Sequence, residues 1–312
     1  MSQRSRFKTL VVVDLETTGF IQDEPKITEL AMIAVNIEAL ERTKPEDELP
    51  RVLHKFVKCF DPLKLLDSEV AKITGECEAS SMLMDYAPFN YETVIAIEAF
   101  LSDFQQPICL IAHNGDLYDF PILSHEIQTA MSNCDRSPIG NAQLNYQSTS
   151  IPTDDPSSLL TKDVSVQTIS SKDDHNQMSF LSISCADSLA FFRHLSQLET
   201  ENQVNSPENS IMIPTESGMS VDTSDKSSTY IPTPDPERNK PSLKLSKIYQ
   251  RDFPSGTSHL KHHQAEHDCL MLLAILKRHL SLWLQWIEVN HRPLNYFSSS
   301  LLSTIQSSPK KM

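Results

Sequence analysis

No uninterrupted apolar stretch in these 312 residues is long enough to span a bilayer. The segment 269–289 comes closest, and Lys277, Arg278, His279, Gln285 and Glu288 interrupt it. The first eight residues are polar and basic, and the short apolar run after them reaches Asp14 at once, which is not a signal-peptide pattern. No two of Cys59, Cys77, Cys109, Cys134, Cys185 and Cys269 form a C-x-x-C pair, and four of the six sit in or beside apolar runs. They read as reduced thiols of an intracellular protein, in cytoplasm, nucleus or both, and not as a disulfide framework or zinc site. Excess positive charge is missing as well: the net charge is −14. That argues against broad electrostatic wrapping of a polyanion and leaves room for a small-footprint site. Glycine is scarce at six residues while proline reaches nineteen, so part of the length is expected to lie outside packed structure.

The charge is unevenly spread. Residues 1–129 carry 11 basic and 22 acidic side chains, residues 130–240 carry 7 and 15, and residues 241–312 carry 9 and 4. Part of the acidity therefore belongs to the middle of the chain. There, residues 132–177 and 199–240 are rich in Ser, Thr, Asn, Asp and Pro and poor in aromatics. Such stretches bury too little apolar surface to offset their ordering entropy, and both read as disordered insertions.

Around them the pattern is that of a folded domain. Residues 9–13 are a β-branched apolar run, predicting a buried central strand; 27–37 and 52–59 predict two more in an antiparallel meander. Helices are predicted over 68–74, 90–104, 119–131, 188–198 and 242–249, with a long one over 266–289; strands are predicted at 108–112 and 181–186. The expected organisation is one interrupted α/β domain with a mixed sheet: 1–131, 178–198 and 241–297, separated by insertions 132–177 and 199–240, with a flexible tail 298–312.

Three short segments carry chemistry. In Val13-Asp14-Leu15-Glu16 the two acids are i and i+2 on a strand, hence on one face at the end of a buried run. Buried carboxylates at that spacing repel unless a cation lies between them, and hard oxygen donors suit Mg²⁺ or Mn²⁺. A solvated strand end with two acids is an equally ordinary reading of the pair alone. In His113-Asn114-Gly115-Asp116-Leu117-Tyr118-Asp119, an acid at a helix N-terminus is expected to have a lowered pKa and be ready for metal; capping of the helix by Asp116 or Asp119 is the common alternative role. In His263-Gln264-Ala265-Glu266-His267-Asp268, a histidine precedes a helix and an aspartate lies in its first turns; alone, this is weak.

In this order, and with Pro25-Lys26-Ile27-Thr28-Glu29-Leu30, Ala71-Lys72-Ile73-Thr74-Gly75, Cys185-Ala186-Asp187-Ser188 and Trp286-Ile287-Glu288-Val289-Asn290-His291-Arg292-Pro293, the segments are far more specific. The sequence resembles the DEDDh, DnaQ-type exonucleases of the ribonuclease-H-like fold, most of all the three-prime repair exonucleases. The resemblance covers the ordered parts and neither insertion. It implies a metal-dependent 3′→5′ exonuclease acting on single-stranded or frayed DNA 3′ ends. Two Mg²⁺ ions, with Mn²⁺ substituting, would be held by Asp14, Glu16, Asp119 and Asp268, with His263 as general base. Substrate contacts are implied for Glu16, Thr17, Thr18, Phe20, Ile73, His113, Asn114, Tyr118 and His263, and a homodimer is implied too. Phe20 stands where the family usually has a leucine, and Leu117 where close relatives often have an arginine. His267 replaces a smaller residue, and the insertions exceed the family's usual loops. An exoribonuclease and a catalytically inactive binding module of the same fold are the alternatives.

Overall fold

The computed structural model describes residues 5–44, 47–64, 80–134, 181–204, 241–254, 260 and 262–298. Six strands form one sheet: β1 (Thr9–Thr17), β2 (Ile27–Asn36), β3 (His54–Cys59), β4 (Ile108–Ala112), β5 (Ser184–Asp187) and the two-residue β6 (Arg292–Pro293). Their order is β3-β2-β1-β4-β5-β6. β1, β2 and β3 make the antiparallel meander, while β4 and β5 run parallel to β1 and to each other. The mixed sheet flanked by helices agrees with the expectation.

β1 is central because its residues are apolar on both faces. Leu10 and Val12 pack into one core with Cys269, Met271 and Leu272 of helix α7 (Ala265–Arg278). Val11, Val13 and Leu15 pack into the other, with Phe120, Ile122 and Leu123 of α4 (Asp119–Cys134) and Val94 and Ile97 of α3 (Tyr91–Ser102). The even-numbered row leads straight on to Asp14 and Glu16, so the acids emerge on the α7 side. The Cys269 thiol donates to the carbonyls of Val12 (3.5 Å) and Ala31 (3.6 Å), pinning the start of α7 across β1 and β2.

The remaining helices are α1 (Ile37–Arg42), α2 (Ser80–Leu83), α5 (Ser188–Val204), α6 (Leu245–Asp252) and α8 (Leu280–Asn290). Asn90 caps α3, its side chain accepting from the Thr93 amide at 3.1 Å. Asn90→Ala is expected to remove about 1 kcal/mol of stability, read as a lower urea midpoint at unchanged slope; an unmoved midpoint would count against the cap.

Several boundaries differ from expectation. The strand expected at 181–186 is Ser184–Asp187, the helix at 242–249 is Leu245–Asp252, and the third strand begins at His54. α4 and α5 continue to Cys134 and Val204, past the expected insertion starts. The helix expected over 266–289 is two helices bent by 103° at His279. No proline or glycine lies there; the break is tertiary. The His279 ring meets the Asp252 carboxylate at 3.2 Å, and Arg278 donates to the Asp252 carbonyl and lies over Phe253, so the end of α6 stops α7. Among the described residues no single helix is long and apolar enough to cross a membrane; α7 and α8 pass that test only as a bent pair. The helix expected at 68–74, most of both expected insertions and nearly all of the expected tail lie outside the described residues.

Candidate active site

The C-terminal end of β1 opens into a cleft of about 230 Å³ lined by Asp14, Leu15, Glu16, Thr17, Gly19, Phe20, His113, Asn114, Tyr118, Asp119, His263 and Asp268. Three separate pieces of chain meet here. Asp14 and Glu16 come from β1, and Asp119 from the first turn of α4. His263 precedes α7, and Asp268 lies in the first turn of α7. Of the described residues with expected roles, Thr18 is not in the cleft wall. The Thr18 hydroxyl accepts from the Lys26 amide at 3.0 Å, closing the loop that carries Phe20. Ile73 lies outside the described residues.

The acids crowd one another. Asp14 is half-buried and lines the cleft; burial, then Asp119, Asp268, Glu16 and Glu29, push its carboxyl well above the ordinary range. Asp119 is 3% exposed and its carboxyl is pushed up to about 8, first by burial and also by the Asp187 and Asp268 charges. Amides of Asp119 and Leu15 offset only part of this. The lowered pKa expected for a carboxylate at a helix N-terminus is therefore reversed, because desolvation outweighs the dipole. Asp268 is raised too, by burial, against the lowering effects of the His263 amide and the neighbouring imidazoles. Ligand atoms of Glu16, His263 and Asp268 lie within 4.8 Å of one another. Buried, mutually repelling carboxylates with no lysine or arginine among the described residues of the cleft wall are a donor set that a divalent cation would relieve, and the oxygen-rich set suits a hard ion.

His263 is held in an unusual backbone state, with φ 62°. Its amide donates to Asp268 Oδ2 at 3.0 Å, so the carboxylate in α7 fixes the turn that presents the imidazole.

The opposite wall is the turn 113–118. The His113 ring is engaged at both nitrogens. Nε2 lies 2.9 Å from the Leu243 carbonyl and so must donate; Nδ1, 2.9 Å from Ser188 Oγ, then accepts. Burial lowers its pKa, so it stands as a neutral structural ring that presents its side to the cleft. Asn114 has φ 68°, and its amide donates to Asp187 Oδ1 at 2.9 Å. The same oxygen accepts from the Leu189 amide at 2.8 Å. The Tyr118 hydroxyl sits against Thr17 Oγ1 and the Gly19 carbonyl, and burial first of all lifts its pKa to about 12. The Tyr118 and Thr17 hydroxyls together fix the base of the Phe20 loop.

Two acids near the site were not singled out by sequence. Glu29 is the cross-strand partner of Glu16; it accepts from the Ala265 amide, and burial raises its pKa. Asp187 is the buried anchor of Asn114. Each lay inside a resembling segment, but an acid on a strand carries no signal of its own until register is known.

Gly115 has no room for a side chain: a Cβ would stand 2.6 Å from the Phe120 ring and 2.7 Å from Ala112 Cβ. Phe120 is fully buried. Gly115→Ala is expected to cost about 1–3 kcal/mol by overpacking and, by shifting Asp119, to slow roughly 10²-fold any reaction that depends on that carboxylate. Melting temperature and rate, measured together, check this; a variant matching the parent in both would refute the close fit.

No family model matches the chain. Three prime repair exonuclease 2 of Mus musculus is 40% identical over 132 residues, 41% of this chain and 56% of that protein. Three-prime repair exonuclease 1 of Bos taurus is 40% identical over 127 residues, 38% of this chain and 40% of that one. The chain thus spans about half the length of the curated relatives it matches. Among solved structures, cell-death related nuclease 4 aligns over 88% of this chain and 64% of its own, at 13% identity and TM-score 0.45. A zinc-bound E. coli ExoI–ssDNA complex aligns over 89% and 42%, at 15% identity and TM-score 0.46. The similarity to three prime repair exonucleases agrees with the family resemblance of the motifs.

Proposed function

We propose that the protein is a metal-dependent 3′→5′ exodeoxyribonuclease that releases nucleoside 5′-monophosphates from single-stranded or frayed DNA 3′ ends. The observation that carries this reading is the convergence of Asp14, Glu16, Asp119, Asp268 and His263 from three pieces of chain on one cleft. The similarity to three prime repair exonucleases supports it.

Asp14, Glu16, Asp119 and Asp268 would hold two divalent cations, Mg²⁺ or in its place Mn²⁺. Bound there, the ions would supply Lewis-acid polarisation of a water and charge stabilisation of the leaving 3′-oxygen. His263 takes the proton of the attacking water, a task suited to an imidazole near neutral pH. Its amide bond to Asp268 keeps it aimed at the carboxylate cluster. Asn114 and Tyr118 form the wall against which the terminal nucleotide lies. Phe20, 42% exposed at the rim, offers a ring to the last base. A homodimer belongs to the same proposal: β3 is the last strand on its side of the sheet, and its outer backbone groups suit pairing with a second copy.

The test is a 5′-labelled single-stranded DNA oligonucleotide incubated with Mg²⁺ or with EDTA, beside Asp14→Ala protein and a matched RNA. The expected result is a Mg²⁺-dependent ladder shrinking from the 3′ end of DNA and absent with Asp14→Ala. Equal or faster loss of the RNA would replace this reading by an exoribonuclease. Folded protein that cuts neither strand would replace it by a binding module.

A further inference from the structure

Among the described residues the cleft wall contains no lysine or arginine, so cations just outside it are the ones to consider for the strand leading to it. One candidate is tied directly to the wall. Arg292, in β6, donates through Nη1 to Asp116 Oδ2 at 3.0 Å, and Asp116 belongs to the turn that carries Asn114 and Tyr118. β6 pairs with β5 at Cys185, two residues before the Asp187 that anchors Asn114. The guanidinium lies over the Tyr296 ring, 5.0 Å from its centroid. Both groups face outward: the Arg292 side chain is 50% exposed and Tyr296 56%. Tyr296 stands on a firm base, edge-on against buried Phe297, which packs on Phe120 of α4. Leu117 in the same turn is exposed beside Asp116.

We propose that Arg292 and Tyr296 form a subsite outside the cleft for single-stranded nucleic acid, the guanidinium on a backbone phosphate and the phenol ring under a base 5′ of the nucleotide being removed. This rests on the exonuclease reading above. A planar guanidinium already oriented on an aromatic ring loses little freedom on meeting a phosphate, and an exposed ring accepts any base. Asp116 holds Arg292 in place while the strand is absent. A mere clasp between β6 and the turn would make the same ion pair, and the two roles differ in sign. Freed of Asp116, Arg292 of a subsite binds strand as well or better, whereas a clasp loses by removal of either partner.

The experiment is fluorescence anisotropy of a short 5′-labelled oligothymidylate with the full chain, Ca²⁺ replacing Mg²⁺ to keep oxygen-ligand sites filled, over a series of salt concentrations. Arg292→Ala is expected to weaken binding and to flatten the log–log salt slope by about 0.7. Arg292→Glu weakens it further, and Tyr296→Ala roughly tenfold. Asp116→Asn binds as tightly as the parent or tighter. If Arg292→Ala does not fold by circular dichroism, Arg292→Lys, with charge but no planar fork, is expected to fall between Arg292→Glu and the parent. Equal weakening by Arg292→Ala and Asp116→Asn, or parent-like binding by Arg292→Ala and Tyr296→Ala, overturns the subsite and leaves the exonuclease reading standing. A parent protein that neither binds nor cuts the oligonucleotide overturns both.

Discussion

Asp119→Asn is expected to make the metal-free protein more resistant to heat while stopping nucleotide release. Asp119 is almost fully buried with its carboxyl raised to about 8, from an unfolded value of about 3.9. A carboxyl raised in the folded state contributes its full stability below the unfolded pKa and loses it as pH climbs through the folded one. The metal-free protein should therefore lose melting temperature between about pH 4 and about pH 8. Asparagine keeps an acceptor for the Asp119 and Leu15 amides, removes the buried charge and also relieves Asp14, for which Asp119 is the largest charged neighbour. At pH 8 the variant should melt higher by roughly 2–4 °C for each kcal/mol relieved, with a flatter pH dependence. Saturating Mg²⁺ should raise the parent and not the variant, and the variant should be slower by on the order of 10³-fold. Scanning calorimetry with and without Mg²⁺ across that pH range decides: a variant melting no higher than the parent at pH 8 without metal would mean that the four carboxylates do not strain the fold.

His263→Asn should cut the rate about 10²- to 10⁴-fold and leave metal-dependent stabilisation largely in place. Asparagine is chosen because the position has φ 62°, which asparagine tolerates better than alanine. The amide bond to Asp268 Oδ2 can then persist, and the loss reports the imidazole and not the turn. Single-turnover rates give a second readout: the loss should lie in the chemical step and not in substrate binding. A variant within a few-fold of the parent would move the base elsewhere, and His262, 3.8 Å from Asp268, would be the next group to replace.

The central strand and its two acids were readable because period two is geometric: once residues 9–13 are a strand buried on both faces, Asp14 and Glu16 share a side. The mixed sheet was readable for the same reason, together with the meander's short connections. What was not readable depends on distant partners. The reversed pKa of Asp119 follows from its desolvation and from Asp187 and Asp268, which local helix-end reasoning does not see. The break at His279 follows from Asp252, 27 positions earlier, while the apolar spacing fits one helix or two. His113 does line the cleft, but no local pattern shows that Ser188 and Leu243 hold both its ring nitrogens. Thr18 has the sequence of a wall residue and the geometry of a loop clasp.

The bend at His279 also sets the protein's optical behaviour. It folds α8 back so that both tryptophans of the chain, Trp283 and Trp286, stack on each other at 5.4 Å and meet Phe191 edge-on. Phe191 touches Phe192, whose ring lies 6.5 Å from that of His113 in the cleft wall. Trp283 is fully buried, and its indole N–H has no hydrogen-bond partner among the described residues. Emission from Trp283 belongs to a dry, apolar surrounding and should be blue-shifted, with half-buried Trp286 stacked on it. It moves to the red when α8 leaves the core, giving the molecule a built-in fluorescent gauge of that one helix.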